Sequence, residues 1–161
     1  MHTRLALEVL ALVGVANSAP VLAKRILGPR ALPIDGDRSL ADGHALFGPS
    51  KTWRGIVAAI LATAVAASLI GLSGLIGAVL ATAAMAGDLC SSFIKRRLGL
   101  APSSICIGLD QVPESLLPAL CAAHLLFLSV VDVVVIVAAF FVCEIVVSRI
   151  MFEIGVRDTP A

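Results

Sequence analysis

Charge is scarce in this chain: Lys, Arg, Asp and Glu make up 14% of its 161 residues, where soluble domains carry roughly 25%. Aromatic residues are only 4%, with no tyrosine. That removes the stacking platform on which single-stranded nucleic acid is bound. A net charge of +1 supplies no basic footprint either, so no nucleic-acid partner is expected. The four cysteines, Cys90, Cys106, Cys121 and Cys143, form no CxxC pair. A zinc ribbon or disulfide framework is therefore not expected, and the cysteines read as packing residues.

What remains is apolar. Hydrophobic residues are 59% of the chain and the mean hydropathy is +1.03. A helix crosses the hydrocarbon core in about 20 apolar residues. The first candidate is Leu5–Ile26, where Asn17 and Pro20 predict a kink or a break near the end. A secretory signal peptide cleaved near Ala16–Ala19 is the competing reading. It is disfavoured by Glu8 inside the run and by the heavier positive charge after it. From Gly55 to Gly87 no charged residue occurs, and the run is too long for one span. Gly71-Leu72-Ser73-Gly74 offers a turn between helices over Arg54–Leu72 and Gly74–Lys95. The last two helices are expected over Ser115–Val130 and Val131–Arg149, joined tightly near Ser129–Asp132.

The expected fold is thus an all-α integral membrane protein of about five transmembrane helices, residues 1–161 forming one domain without repeats. Small residues dominate the second and third helices and allow close backbone approach in lipid. Gly71, Gly74 and Gly77 would also permit a homodimer.

Orientation follows from the cations. Loop one carries Lys24, Arg25, Arg30, Arg38, Lys51 and Arg54; loop two carries Lys95, Arg96 and Arg97; the C-terminal segment carries Arg149 and Arg157. With five helices all of these fall on one side, and only Arg4 falls on the other. The positive-inside rule then puts the N-terminus outside and both polar loops in the cytoplasm. The expected location is the cell (inner) membrane, crossed several times, with any active site facing the cytoplasm.

Those loops hold the chemistry. In Gly87-Asp88-Leu89-Cys90-Ser91-Ser92-Phe93-Ile94-Lys95-Arg96-Arg97 a helix puts Asp88, Ser91 or Ser92, and Lys95 on one face. A carboxylate suits Mg²⁺, and cations one or two turns later suit phosphate oxygens. Snorkelling at a helix end explains Lys95–Arg97 equally well but leaves Asp88 unexplained. Gly48-Pro49-Ser50-Lys51-Thr52-Trp53-Arg54-Gly55 lacks the spacing and the preceding strand of a P-loop. Lys51, Thr52 and Arg54 still precede a helix N-terminus that attracts anions; a plain interfacial anchor around Trp53 fits as well. Asp110 and Glu114 could add carboxylates, although Pro113 and Glu114 also suit the opening turn of a helix. His124 and Glu144 could pair across the last two helices or line a polar cavity, and Asp132 marks an outer turn.

In that order, Asn17-Ser18-Ala19-Pro20, the Asp-rich loop Asp35–Phe47, Lys51-Thr52-Trp53-Arg54-Gly55, Gly87-Asp88, Ser92-Phe93-Ile94-Lys95-Arg96-Arg97 and Asp110-Gln111 resemble the CDP-archaeol synthase family. That family is related to the phosphatidate cytidylyltransferases, and the resemblance covers nearly the whole chain. It implies a five-helix membrane enzyme that joins CTP to a lipid phosphate with Mg²⁺, giving a CDP-lipid and pyrophosphate. By position, Asp88, Lys95 and Asp110 would be catalytic, and Asp88, Asp110 and Glu114 would hold metal. Ser92, Lys95, Arg96 and Arg97 would face phosphates. Lys51, Thr52 and Arg54, with Asp35 and Asp42 beside them, would face the nucleotide, and Asn17 the lipid headgroup.

Two departures stand out. Pro113 occupies the second Asp of the family's Asp-Gln-x-Asp, with Glu114 beside it, and Ser103-Ser104-Ile105-Cys106 replaces a segment usually rich in glycine and proline. An isoprenoid ether-lipid phosphate and a diacyl phosphatidate both remain open as substrate. The competing functions are a catalytically silent lipid- or nucleotide-binding relative, a small transporter or assembly partner with a broken helix at Asn17–Pro20, and a CDP-alcohol phosphotransferase. Charge at one face instead of the midplane disfavours transport, and the spacing around Asp42-Gly43 disfavours the last.

Overall fold

The computed structural model describes residues 2–28, 30–101, 104 and 106–153; Pro29, Ser103, Ile105 and Arg157, named above, lie outside them. Five helices follow one another: α1 Thr3–Leu27, α2 Trp53–Leu69, α3 Gly74–Arg97, α4 Gln111–Leu126 and α5 Val130–Glu153. Among the described residues there are no strands, only the isolated bridges Pro33–Thr52 and Ser39–Ala45 inside loop one. α1, α3 and α5 are long and apolar enough to cross a membrane. α2, with 17 residues, and α4, with 16, are shorter.

α3 is the central element, touching α1, α2 and α4, while α5 closes against α1 and α4. Small residues make this possible. A Cβ on Gly77 would stand 2.5 Å from the Thr63 carbonyl oxygen of α2, and one on Gly74 would stand 2.9 Å from Ser68 Oγ. Both glycines are therefore occupied by the α2–α3 contact within one chain, and Gly71 (φ +85°) makes the turn between them; none of the three argues for a dimer. Val9, Leu12 and Val13 of α1, Leu80 of α3 and Ile136 of α5 form the main core. Val57, Leu61, Val65 and Leu69 form an exposed stripe on α2, and Val130, Val134 and Val142 are exposed on α5. In a chain of this hydropathy such faces meet lipid.

Three expectations are corrected. α1 does not break: it runs through Pro20 to Leu27. Pro20 packs against Gly55 at the start of α2, and within apolar surroundings the helix is retained because its remaining backbone groups have no other partners. α4 starts a turn before Ser115 and stops at Leu126, because Phe127 takes a left-handed conformation (φ 55°) whose N–H closes on the Ala123 carbonyl. Cys90 and Cys143 are exposed on the helix bundle instead of packed within it.

The α4–α5 turn is pinned by Asp132, which is fully buried. Its carboxylate accepts from Ser129 N (3.0 Å), Ser129 Oγ (2.7 Å) and His2 N (3.0 Å). The start of α1 is thus fixed at the end of the bundle opposite the charged loops.

Candidate active site

Loop one is folded by its own side chains. Asp35 accepts from Asp37 N (3.1 Å), Phe47 N (2.9 Å) and Gly48 N (2.9 Å). Burial would push this carboxyl up, but the three backbone donors outweigh it and hold the pKa below the ordinary value. Ile34 N donates to Lys51 O and Trp53 N to Leu32 O, so the two ends of the loop run side by side. Thr52 is the N-cap of α2, its hydroxyl accepting from Gly55 N at 3.2 Å. Arg54 donates to the carbonyls of Leu27 (3.5 Å) and Arg30 (3.2 Å), closing the end of α1.

This frame aims Lys51 at α3. Its Nζ lies 2.5 Å from Asp88 Oδ1. Burial would lower the Lys51 pKa, but the Asp88 carboxylate, with smaller contributions from Glu114 and Asp110, holds it above the ordinary 10.5. The Glu114 carboxyl of α4 lies beside that of Asp88, close enough for the two to interact directly. The two carboxyls meet because α3 and α4 cross at Gly87, where a Cβ would stand 2.2 Å from the Pro113 carbonyl oxygen and 2.8 Å from Glu114 N. Pro113 is the third residue of α4, in the opening turn where proline is tolerated. It is the next residue, Glu114, that stands beside Asp88.

Two turns further along α3, about 10 Å at 1.5 Å per residue, a second pair forms. Lys95 Nζ lies 2.7 Å from Asp110 Oδ1 and donates to Ser104 O at 2.9 Å. The first contact is an ion pair by distance, its angle falling outside hydrogen-bond geometry. Asp110 Oδ2 accepts from Cys106 N at 3.0 Å. Next to this pair Arg96 is 4% exposed; its Nη2 donates to Ala101 O (2.8 Å), while Nε and Nη1 are buried without a hydrogen-bond partner among the described residues.

This sequence of partners, two cation–carboxylate pairs and a half-satisfied buried guanidinium along one helix, lies within residues 4–161, the stretch matched by the family model "CarS-like: CDP-archaeol synthase". The chain belongs to the CDP-archaeol synthase family. Its relatives include the CDP-archaeol synthase of Pyrococcus furiosus, 39% identical over 119 residues, 68% of each chain. That of Sulfurisphaera tokodaii is 32% identical over 153 residues, 91% of this chain and 89% of its own. The Thermococcus onnurineus protein is 41% identical over 108 residues, and the match spans only 61% of that protein's length. Among solved structures, one described as an intramembrane enzyme for archaeal membrane lipids biosynthesis superposes with a TM-score of 0.74 at 28% identity, covering 88% of this chain and 91% of that one. An all-helical, membrane-embedded fold is shared.

Within this family fold, the expected site residues sort into two groups. Lys51, Asp88 and Glu114 come together, as do Lys95, Asp110 and Arg96. The others are engaged elsewhere. Asp35, Thr52 and Arg54 bind backbone, as described. Arg97 is clamped to loop one: it pairs with Asp42, donates to the carbonyls of His44 (3.2 Å) and Ala45 (2.6 Å), and lies over the Phe93 ring at 5.3 Å. Asp42 has its pKa lowered, first by the His44 backbone N–H and then by Arg97. Ser92 is buried on the same face of α3 as Ser91 and Lys95. Asn17 lies on α1, its Nδ2 buried without a hydrogen-bond partner among the described residues. Among the described residues no three His, Cys, Asp or Glu side chains gather as a ready metal cage; Asp110 lies with Lys95, not with Asp88 and Glu114.

One polar link escapes a reading by motif. Gln111, 2% exposed, donates from Nε2 to Glu144 Oε2 of α5 at 2.6 Å and accepts from Gly108 N at 2.7 Å. The signal was a lone carboxylate deep in an apolar helix, which marks a functional candidate by default.

Proposed function

We propose that the protein transfers CMP from CTP to the phosphate of a membrane lipid, an isoprenoid ether-lipid phosphate, and releases pyrophosphate. The observation that carries this reading is the convergence of Lys51 on Asp88 beside Glu114, between a loop and two helices. An oxygen of the lipid phosphate attacks the α-phosphorus of CTP. The new bond joins lipid phosphate to CMP; the bond from the α-phosphorus to its bridging oxygen breaks, and the electron pair leaves with pyrophosphate.

Positioning and electrostatics supply most of the catalysis in such a transfer. Lys51, cationic throughout the neutral range, sits where a triphosphate would approach the N-terminus of α2, and that terminus favours anions. The unpartnered edge of Arg96 and the ammonium of Lys95 offer donors to a second phosphate about two turns away. Asp110 orients Lys95, and Arg97 with Asp42 fixes loop one over the end of α3.

Adjacent carboxyls of Asp88 and Glu114 form a hard oxygen donor set of the size Mg²⁺ takes when phosphates complete its shell. These two residues would hold it. When bound, the ion would neutralise charge on the phosphate oxygens. The cation-rich ends of α1 and α3 lie together, opposite the end that Asp132 ties to His2, which supports a multi-pass arrangement in the cell membrane with the site facing the cytoplasm.

The test is purified protein with Mg²⁺ and labelled CTP, offered an unsaturated ether-lipid phosphate and phosphatidate in parallel. Label entering the lipid phase with the ether lipid supports the reading. Label with phosphatidate alone reassigns the lipid. CTP binding by folded protein without label in either lipid would favour a silent relative.

A further inference from the structure

Glu144 is the residue the mechanism above leaves unused. It lies in the second half of α5, in a run that is otherwise apolar from Val133 to Val147. An ionisable group at membrane depth is costly and persists where it has a partner or a task. One of its partners is Gln111. Glu144 Oε2 accepts from Gln111 Nε2 at 2.6 Å, and the other end of the same amide, Oε1, accepts from Gly108 N at 2.7 Å. Gly108 (φ +89°) belongs to the turn that leads into α4. That turn also carries Cys106, whose N–H donates to Asp110 Oδ2, and Asp110 faces Lys95. A continuous chain therefore runs from α5 to the second cation–carboxylate pair of the site.

Gln111 is anchored by α5 in a particular sense. A buried amide that is free to rotate can present either its oxygen or its nitrogen to Gly108 N, and only the oxygen can accept. The Glu144 carboxylate accepts only, so it selects the rotamer that turns the nitrogen to α5 and the oxygen to Gly108. We infer that Glu144 is a positioning residue for this active site: by fixing the Gln111 amide it holds the Cys106–Asp110 turn, and through it sets Asp110 against Lys95. This inference rests on the cytidylyltransferase reading for its kinetic consequence, while its structural consequence stands independently of it.

Glu144→Leu removes the acceptor and suits an apolar helix, so it keeps the helix compatible with lipid. Glu144→Gln keeps an acceptor that can face Gln111. Two readouts separate positioning from general stability. The first is alkylation of Cys106 by a small maleimide, in a background with Cys90, Cys121 and Cys143 changed to alanine. Glu144→Leu should speed it several-fold at unchanged thermal midpoint, and Glu144→Gln should leave it within about twofold of the parent. The second is steady-state kinetics. Turnover should fall about tenfold in Glu144→Leu and in Gln111→Leu, with no further loss in the double variant, as coupled residues behave, and Glu144→Gln should restore most of it. Parent-like alkylation in Glu144→Leu overturns the inference, whatever the activity. So does a Glu144→Gln variant as impaired as Glu144→Leu, since the charge and not the held amide would then matter. An inactive parent with the predicted alkylation pattern would instead defeat the cytidylyltransferase reading and leave the positioning role supported.

Discussion

Gly87 and Pro113 meet backbone to backbone, with space for a Cβ on Gly87 only 2.2 Å from the Pro113 carbonyl oxygen. Neither residue carries a functional group, yet their contact sets Asp88 of α3 beside Glu114 of α4. Gly87→Ala must push the two helices apart. Overpacking of this kind costs about 1–3 kcal/mol, and the displaced carboxyls should cost activity far more than stability. We expect a folded variant with turnover reduced at least about a hundredfold, the scale of loss that an ångström of misplacement brings. Thermal unfolding and turnover measured on one preparation check this.

Lys51 is the cation that faces the paired carboxyls. Lys51→Met should lower turnover by about 10²–10³, the loss typical of one electrostatic contact to a developing charge, and Lys51→Arg should recover part of it. The pH dependence has a definite sign. Because the folded pKa is raised above 10.5, the Lys51–Asp88 attraction is fully present below that value and is lost only as pH rises through the raised one. A pH–rate profile should therefore show no alkaline limb from Lys51 between pH 7 and 10. A limb in that window that vanishes in Lys51→Arg would contradict the assignment.

Asp35 predicts the behaviour of loop one. Its carboxyl is held below 3.8, so its stabilisation is present above that value and lost as pH falls through the depressed one. Asp35→Asn turns an amide nitrogen toward backbone donors and should destabilise the loop by about 1–3 kcal/mol, the cost of leaving a buried donor unsatisfied. Tryptic cleavage at Arg38, which is exposed in the loop, should become faster in the variant and stay slow in the parent down to mildly acidic pH.

Arg97 and Asp42 lie fifty-five residues apart in sequence and join loop one to the end of α3. Arg97→Lys keeps the charge but loses the planar fork that reaches Asp42 and two carbonyls. The expected result is a KM for CTP raised several-fold with turnover largely kept. Asp42→Asn should behave alike, and the double variant should be no worse than either. A loss confined to turnover would mean that Arg97 contacts reacting phosphate directly.

The helices were legible because long apolar runs report them directly, and Gly71 to Gly74 marked a sharp turn within such a run. Helix ends were less so: α4 begins at Gln111 and ends at Leu126, capped by a left-handed Phe127, through local backbone geometry that hydropathy does not encode. Pro20 read as a kink or a break; the helix does not break, and Pro20 packs against Gly55 in an apolar setting. The site was legible as residue types and only partly as roles. Asp35, Thr52 and Arg54 are motif residues whose side chains bond backbone groups in the fold, which residue type alone does not reveal. Partners such as Lys51 with Asp88, or Gln111 with Glu144, are far apart in the chain and are decided by how helices cross. Glu144 was visible as a lone charge, but nothing in its neighbours names Gln111.

Cytidylyl transfer predicts where each phosphorus of CTP ends, and that is the most direct test. Purified protein with Mg²⁺ and an ether-lipid phosphate would be given CTP labelled at the α- or at the γ-phosphorus in separate reactions. The account predicts α-label in the lipid phase and γ-label in aqueous pyrophosphate, in equal amounts, with both lost in Asp88→Asn. Label from the γ-position in the lipid would contradict it, because the reaction would then be a phosphorylation and the attack would not be at the α-phosphorus.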